Sequence, residues 1–220
     1  MQAAARERFG PLAGIAFIVL TFVGMSLAGS DLPDVDDSAE AIHSYFDANH
    51  GTILLGLKIA WIGLVAALFF FSWLAARLRA SEPDGWLAGA AFAGGITFVG
   101  CMLAMTALPY AAASRFRWEE TLDPVVAQTI HVLQWDAITL AWYPLATLVA
   151  ATALSSLRTG WLPKWMAWVG LVLAIGLLVP EIAWFLFMIV FAWLLLLCIL
   201  ALLGKTGSSS TMATGGVPEG

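Results

Sequence analysis

The chain has 220 residues, of which 61% are hydrophobic and only 11% are charged. A soluble globular domain carries roughly 25% charged residues, so the composition excludes an ordinary soluble domain and indicates an integral membrane protein. The net charge of −5 by itself says nothing about nucleic acid. The basic residues are scattered at helix ends rather than gathered on a phosphate-binding face, so no nucleic-acid partner is expected.

Apolar runs long enough to cross a bilayer recur along the chain. A membrane-spanning helix needs about 20 mainly apolar residues. The sequence therefore predicts an all-α, polytopic membrane protein. Residues 1–204 are expected to form one six-helix bundle, with spans at about 11–29, 52–77, 86–111, 130–156, 162–180 and 181–203.

The last two predicted spans form one apolar block that is interrupted at Pro180-Glu181. Proline lacks the amide hydrogen and disfavours a helical conformation in the residue before it, so a tight helical hairpin is expected there. The alternative is five spans with one long re-entrant element.

The distribution of lysine and arginine predicts the orientation. With the N-terminus inside, two basic residues, Arg115 and Arg117, flank the outer ends of the spans, and the outer segments are acidic. Because cytoplasmic segments carry an excess of basic residues, both termini are predicted to be cytoplasmic, in the plasma (inner) membrane. The seven basic residues of the inner side are Arg6, Arg8, Arg77, Arg79, Arg158, Lys164 and Lys205.

The outer connections and the C-terminal segment carry further local signals. Asp37 and Glu40 have the spacing of a capping box, which predicts a short amphipathic helix that lies on the outer membrane surface and ends near Gly51. Asp123 before Pro124 predicts the N-terminus of a helix that starts outside the membrane. Residues 205–220 are rich in glycine and serine, and a disordered cytoplasmic tail is expected.

Two charges fall inside predicted spans. Lys58 lies about 10 Å from the outer end of the second span, at about 1.5 Å per residue, and Asp136 lies at a similar depth in the fourth. Opposite charges at matched depth can neutralise each other, which is how such residues are tolerated in a bilayer. The sequence predicts an ion pair, in which the change Lys58→Met alone is more damaging than Lys58→Met combined with Asp136→Leu.

The fourth span also carries a polar stripe. Asp136 and Tyr143 are seven residues apart, Thr147 follows four later, and His131 lies near the outer end. One interpretation is a ligand-binding, outward-opening polar cavity lined by Lys58 and these residues. The other is a structural ion pair that fixes the helix register, with the hydroxyl groups bonded to backbone carbonyls.

Three possible metal ligands share one face of the predicted surface helix. His43, Asp47 and His50 have the spacing i, i+4, i+7, and imidazole and carboxylate groups suit zinc or copper. The alternative is the ordinary polar face of an amphipathic helix. A bis-histidine haem site is disfavoured because His50 and His131 both lie at the rim, and no cofactor is predicted.

Three stretches of the sequence carry a resemblance to a known group of proteins. They are LAGIA from Leu12, YFDANH from Tyr45 and LRTGWLPKWM from Leu157. With them the chain resembles, over nearly its whole length, a group of six-helix bacterial membrane proteins of actinobacterial type, catalogued as domains of unknown function. This resemblance implies six spans and supplies no activity, substrate or catalytic residue.

These features favour a non-enzymatic binding, transport or accessory protein for a small hydrophobic or amphipathic ligand. No nucleophile stands beside a base in a recognised arrangement. One alternative is a membrane-embedded enzyme that acts on a lipid or quinone-like substrate with the outer histidine and aspartate groups. Another is a purely structural subunit of a membrane complex. The expected partners are the lipid bilayer, a lipid or other hydrophobic small molecule, and a membrane-protein partner or further copies of this chain.

Overall fold

A computed structural model describes residues 2–29, 32–82, 85–118 and 122–206, and in these residues it contains six helices and no strand. Five of the helices are long and apolar enough to cross a membrane, which is consistent with a multi-pass membrane protein. The helices are α1 (Gln2–Ala28), α2 (Ala39–Ser81), α3 (Trp86–Arg117), α4 (Pro124–Thr159), α5 (Lys164–Gly176) and α6 (Pro180–Leu202).

Helices α2, α3 and α4 continue past their predicted spans at one end of the bundle. This end, called the acidic end below, contains the α1–α2 and α3–α4 connections. Helix α2 has 43 residues and no break at Gly51, so the predicted surface helix is the first three turns of α2. Its N-cap is Ser38 rather than Asp37, and the Ser38 hydroxyl accepts a hydrogen bond from the amide of Ala41 at 3.2 Å.

The start of α4 agrees with its prediction. The side chain of Asp123 accepts a hydrogen bond from the amide of Val125 at 2.8 Å, and Pro124 occupies the first helical position. A carboxylate suits this position because the first amides of a helix have no partner within the helix. Helix α4 therefore begins six residues before the predicted span and projects beyond it at the acidic end.

Helices α5 and α6 form an antiparallel hairpin. Gly176 lies against Leu186, and the indole of Trp193 donates a hydrogen bond to the carbonyl of Met166 at 2.9 Å. Pro180 begins α6, as the missing amide of proline permits. Helix α5 has 13 residues and is about 20 Å long, shorter than a hydrocarbon core of about 30 Å.

Consecutive helices pack against each other, and α1 also contacts α6, which closes a ring; α2 contacts α4 across it. The tightest contact joins α1 and α2. A Cβ atom added to Gly24 would lie 2.5 Å from the carbonyl oxygen of Gly56, and one added to Gly63 would lie 2.6 Å from the hydroxyl of Thr21. Small residues at these positions let the two backbones touch, as in many membrane-helix pairs.

The apolar core has two parts. The larger part lies along the spanning segments and includes a group of aromatic rings around Phe17, whose centroid is 5.7 Å from that of Phe71 and 5.5 Å from that of Phe191. The smaller part joins the projecting turns of α2, α3 and α4 at the acidic end. Its members are Ile42, Tyr45, Phe46, Ile53, Leu54, Leu57, Ala112, Ala113 and Ala127. The projecting turns are therefore packed together rather than separate.

The predicted disordered tail, residues 205–220, lies outside the described residues from 207 onward.

Candidate functional site

A cavity of about 480 Å³ lies below the acidic end, between α1, α2, α3, α4 and α6. Its position follows from the helix order. Across the described part of the chain, the backbone of α1 comes close to α2 and α6 but not to α3 or α4, and side chains bridge the gap to α3, where the ring centroids of Phe17 and Phe98 are 6.5 Å apart. The cavity lies in this gap, between the aromatic rings around Phe17 and the smaller apolar core at the acidic end.

The lining of this cavity is predominantly apolar. It includes four of the seven methionines of the chain, whose flexible thioether side chains adapt to ligands of different shape. A lining of this kind suits a hydrophobic molecule. The apolar lining residues include Met25, Phe46, Ile53, Leu57, Met102, Met105, Ile138, Trp184, Phe187, Met188 and Phe191.

Aromatic rings close the cavity toward the middle of the bundle. The centroids of Phe187 and Phe191 are 4.5 Å apart, and that of Phe187 is 4.9 Å from the Trp142 ring. Phe191 in turn packs on Phe17 of α1. These contacts join α1, α4 and α6 in one layer, so a ligand would rest on an aromatic floor and reach the outside at or near the acidic end.

Two buried oxygen atoms in the lining have no hydrogen-bond partner among the described residues. They are the hydroxyl oxygen of Thr21 on α1 and the side-chain carbonyl oxygen of Gln134 on α4. The Thr106 hydroxyl, by contrast, accepts from the Trp61 indole at 2.8 Å and donates to the Met102 carbonyl at 2.7 Å. An unpaired buried polar atom costs about 1–3 kcal/mol. Both oxygen atoms lie just behind the cavity surface, that of Thr21 beside Gly63 in the α1–α2 contact.

His131 lies beside the cavity and joins it to the α1–α2 connection. Its side chain is fully buried, and its Nε2 atom is 3.1 Å from the carbonyl oxygen of Pro33 and 3.3 Å from the indole nitrogen of Trp135. With a hydrogen on Nε2 the imidazole donates to Pro33, and without it Nε2 accepts from Trp135. Both Pro33 and Trp135 line the cavity, so His131 positions the lining without being part of it.

The other predicted site residues lie elsewhere. Lys58, Asp136, Tyr143 and Thr147 are exposed on the outer faces of their helices, and none of them lines the cavity. Within the described ranges, no ion pair joins Lys58 to Asp136. The Thr147 hydroxyl donates to the backbone carbonyl of Tyr143 at 3.0 Å, as the structural interpretation of the stripe expected. The structure therefore does not bring the predicted polar group together.

The lengths of the uncharged helix segments explain why these charges need no partner. The run Ile59–Ala76 of α2 is about 27 Å long, and the run Ala137–Leu157 of α4 is about 31 Å long, at about 1.5 Å per residue. Each matches a hydrocarbon core of about 30 Å. Lys58 and Asp136 thus lie at the boundary of these segments, where the headgroup region and water can solvate them. The first turns of α2 and α4 continue past Lys58 and Asp136 toward the acidic end, and the depth of about 10 Å expected from sequence stays a prediction.

The predicted metal ligands make separate contacts. His43 packs edge-on against Phe116, with centroids 5.2 Å apart, and the Nδ1 of His50 donates to the backbone carbonyl of Asp47 at 2.6 Å. In the described ranges, no three histidine, cysteine, aspartate or glutamate side chains are close enough to hold a metal ion. The chain's own geometry therefore does not assemble the triad of His43, Asp47 and His50.

Sequence reasoning missed Thr21 and Gln134. A single hydroxyl in an apolar helix is usually bonded to its own backbone, as at Thr152, whose hydroxyl donates to Leu148 at 2.8 Å, so Thr21 carried no signal. Gln134 could have been noted as an amide two residues from Asp136 in an apolar run.

No family model, curated protein or solved structure matches this chain. The resemblance to six-helix bacterial membrane proteins of actinobacterial type stays a prediction.

Proposed function

We propose that the protein is a membrane-embedded binding protein for a hydrophobic molecule with a small, neutral polar head, in a transport or accessory role. The observation that carries this proposal is the cavity of about 480 Å³ with Thr21 and Gln134 unpaired in its lining. Its volume lies within the range of about 300–1,000 Å³ that ligand pockets occupy.

The chemistry of the lining favours a neutral head. Among the described residues, no lysine or arginine lines the cavity, and the acidic lining residue Asp34 is exposed in the α1–α2 connection. An anionic head would find no cation there and would lose most of its hydration. A hydroxyl or carbonyl group needs only hydrogen bonds, which the Thr21 hydroxyl and the Gln134 amide supply. Long-chain alcohols, isoprenoid quinones and sterol-like molecules belong to this class.

The cellular setting is part of the same proposal. The excess of basic residues at the end opposite the acidic end supports cytoplasmic N- and C-termini in a plasma membrane, with six spans. In this orientation the cavity belongs to the outer half of the bundle. A ligand could then enter from the outer leaflet or from a partner protein on that side.

Photo-crosslinking tests the proposal. Hexadecanol that carries a diazirine in its chain is added to the purified full-length protein in nanodiscs, and the modified peptides are identified by mass spectrometry. We expect crosslinks at the cavity wall, in the peptides that contain Met105 and Phe187. The change Ile138→Trp fills the cavity and should abolish these crosslinks.

The matched control is Leu140→Trp, on the same helix but 61% exposed, which should leave the crosslinks unchanged. The double change Thr21→Val with Gln134→Leu keeps the volume and removes the polar atoms. It should weaken labelling by hexadecanol but not by a diazirine alkane of equal length. Crosslinks that persist in folded Ile138→Trp protein, or that fall only on exposed helix faces, would overturn the proposed function.

A further inference from the structure

A second, smaller groove lies on the outer surface of the bundle at the acidic end. It has a volume of about 280 Å³ and lies between the middle turns of α2 and the last turn of α3. Gly51 leaves it open, because nothing lies within 4 Å of the position that a Cβ atom would take there. Its lining residues are His50, Gly51, Leu54, Leu55, Lys58 and Arg117.

The groove brings two permanent cations together. Lys58 comes from α2 and Arg117 from α3, and among the residues that the structure describes no aspartate or glutamate side chain lines the groove. In the described ranges, neither cation forms an ion pair, and the Arg117 guanidinium lies 5.9 Å from the centroid of the Trp118 ring. Two like charges beside a shared groove repel each other, so an anion between them would be stabilised by both.

The groove also lies at the membrane boundary. Lys58 marks the end of the uncharged segment of α2, and its neighbours on the outward face, Leu55 and Ile62, are 56% and 61% exposed. Such large exposed apolar side chains on a spanning helix face acyl chains. Ile62, one turn below Lys58, therefore faces acyl chains, while Lys58 and the rest of the groove lie at and above the boundary. This order matches the acyl chain and the head of a phospholipid.

We infer that Lys58 and Arg117 bind a phosphate group, and that the group belongs to a phospholipid whose acyl chain runs down α2 along Ile62. Arginine presents a planar fork that suits phosphate oxygens, and lysine contributes a second positive charge to the same groove. This site is separate from the proposed ligand cavity, because the described residues that line one do not line the other. It gives Lys58 a role that requires no partner within the protein.

Native mass spectrometry of the full-length protein, titrated with single lipids, tests the inference. Phosphatidylglycerol, diacylglycerol with the same chains, and inorganic phosphate are compared. We expect phosphatidylglycerol to bind, with an affinity about tenfold lower after Lys58→Gln combined with Arg117→Gln. Diacylglycerol should bind weakly and equally to both proteins. The matched control, Lys164→Gln at the opposite end, should not change phosphatidylglycerol binding.

Other results of the same titration would reassign the site or overturn the inference. Inorganic phosphate that binds at millimolar concentration, competes with phosphatidylglycerol and is lost in the double variant would keep the phosphate site but assign it to a free anion. Equal binding of phosphatidylglycerol and diacylglycerol, or no difference between the double variant and the unmodified protein, would overturn the inference. Lys58→Arg keeps the charge and should keep binding, which separates loss of charge from loss of folding.

Discussion

At the scale of single residues, one salt bridge joins the ends of two helices. It is formed by the carboxylate of Glu82 and the guanidinium of Arg158. They lie 3.1 Å apart, at the C-terminal ends of α2 and α4, and the Glu82 side chain is 6% exposed while that of Arg158 is 55% exposed. Arg158 also lies 5.7 Å from the centroid of the Trp86 ring at the start of α3. Three helices therefore meet at one charge pair.

We predict that Arg158→Met lowers the free energy of unfolding by about 1–2 kcal/mol, because it leaves a buried carboxylate without its partner. Adding Glu82→Gln to Arg158→Met should recover part of that loss. Reversible unfolding in mixed micelles measures both variants and the Glu82→Gln single change. Losses that simply add in the double variant would show that the pair contributes nothing beyond its separate side chains.

Lys58 and Asp136 behave differently, because each is exposed near the end of an uncharged helix segment. We predict that the effects of Lys58→Met and Asp136→Leu on the free energy of unfolding add to within about 0.5 kcal/mol. The same mixed-micelle measurement checks this. A double variant clearly more stable than the sum predicts would restore the ion pair that the sequence alone suggested.

At the scale of the helices, α2 is the element that connects the cavity with the phosphate groove. It runs through Gly51 into the membrane and supplies residues to both the cavity and the phosphate groove. Gly51 and Gly56 lie five residues apart in this helix, but only Gly56 is packed against another helix. Gly51 faces open space, whereas a Cβ atom at Gly56 would lie 2.5 Å from the carbonyl oxygen of Gly24.

This contrast gives a prediction with its own control. Gly51→Ala should raise the free energy of unfolding by about 0.5–1 kcal/mol, since alanine favours a continuous helix. Gly56→Ala should lower it by about 1–3 kcal/mol, because α1 and α2 must move apart. Hydrogen exchange of the amides of residues 49–55 gives a local readout. Unchanged or faster exchange in Gly51→Ala protein would mean that α2 is interrupted there.

At the scale of the whole molecule, α5 determines how the chain crosses the membrane. With 13 residues it is shorter than the other helices, yet it packs antiparallel to α6 and starts at the same end as the C-terminus of α4. If α5 crosses the membrane, the chain crosses it six times. The N- and C-termini then lie on the same side of the membrane. The charge distribution predicts that this side is the cytoplasm.

Cysteine labelling in intact cells tests this topology. In a background with Cys101 and Cys198 changed to alanine, a membrane-impermeant maleimide should label Val35→Cys at the acidic end. It should not label Lys164→Cys or Gly204→Cys until the cells are permeabilised. Labelling of Lys164→Cys in intact cells would invert the orientation. Labelling of Gly204→Cys but not Lys164→Cys would give an odd number of spans.

The sequence by itself determined the class of protein, the approximate positions of the apolar segments and several local signals, such as Asp123 at the start of α4. These depend on composition, period and cap chemistry, which act over a few residues. At the acidic end, α2 and α4 begin before the spans that the sequence predicted, at Ala39 and Pro124.

Only the tertiary structure decided which polar groups meet. The smaller apolar core joins the first turns of α2 to α3 and α4, and these long-range contacts extend the helices past the limits that hydropathy alone predicts. The cavity lies where the backbone of α1 packs on α2 and α6 in the described residues, while α1 reaches α3 only through side chains such as Phe17 against Phe98. Thr21 and Gln134 therefore share one lining although 113 positions separate them along the chain. No local pattern encodes such a meeting, because it depends on how the helices pack around each other.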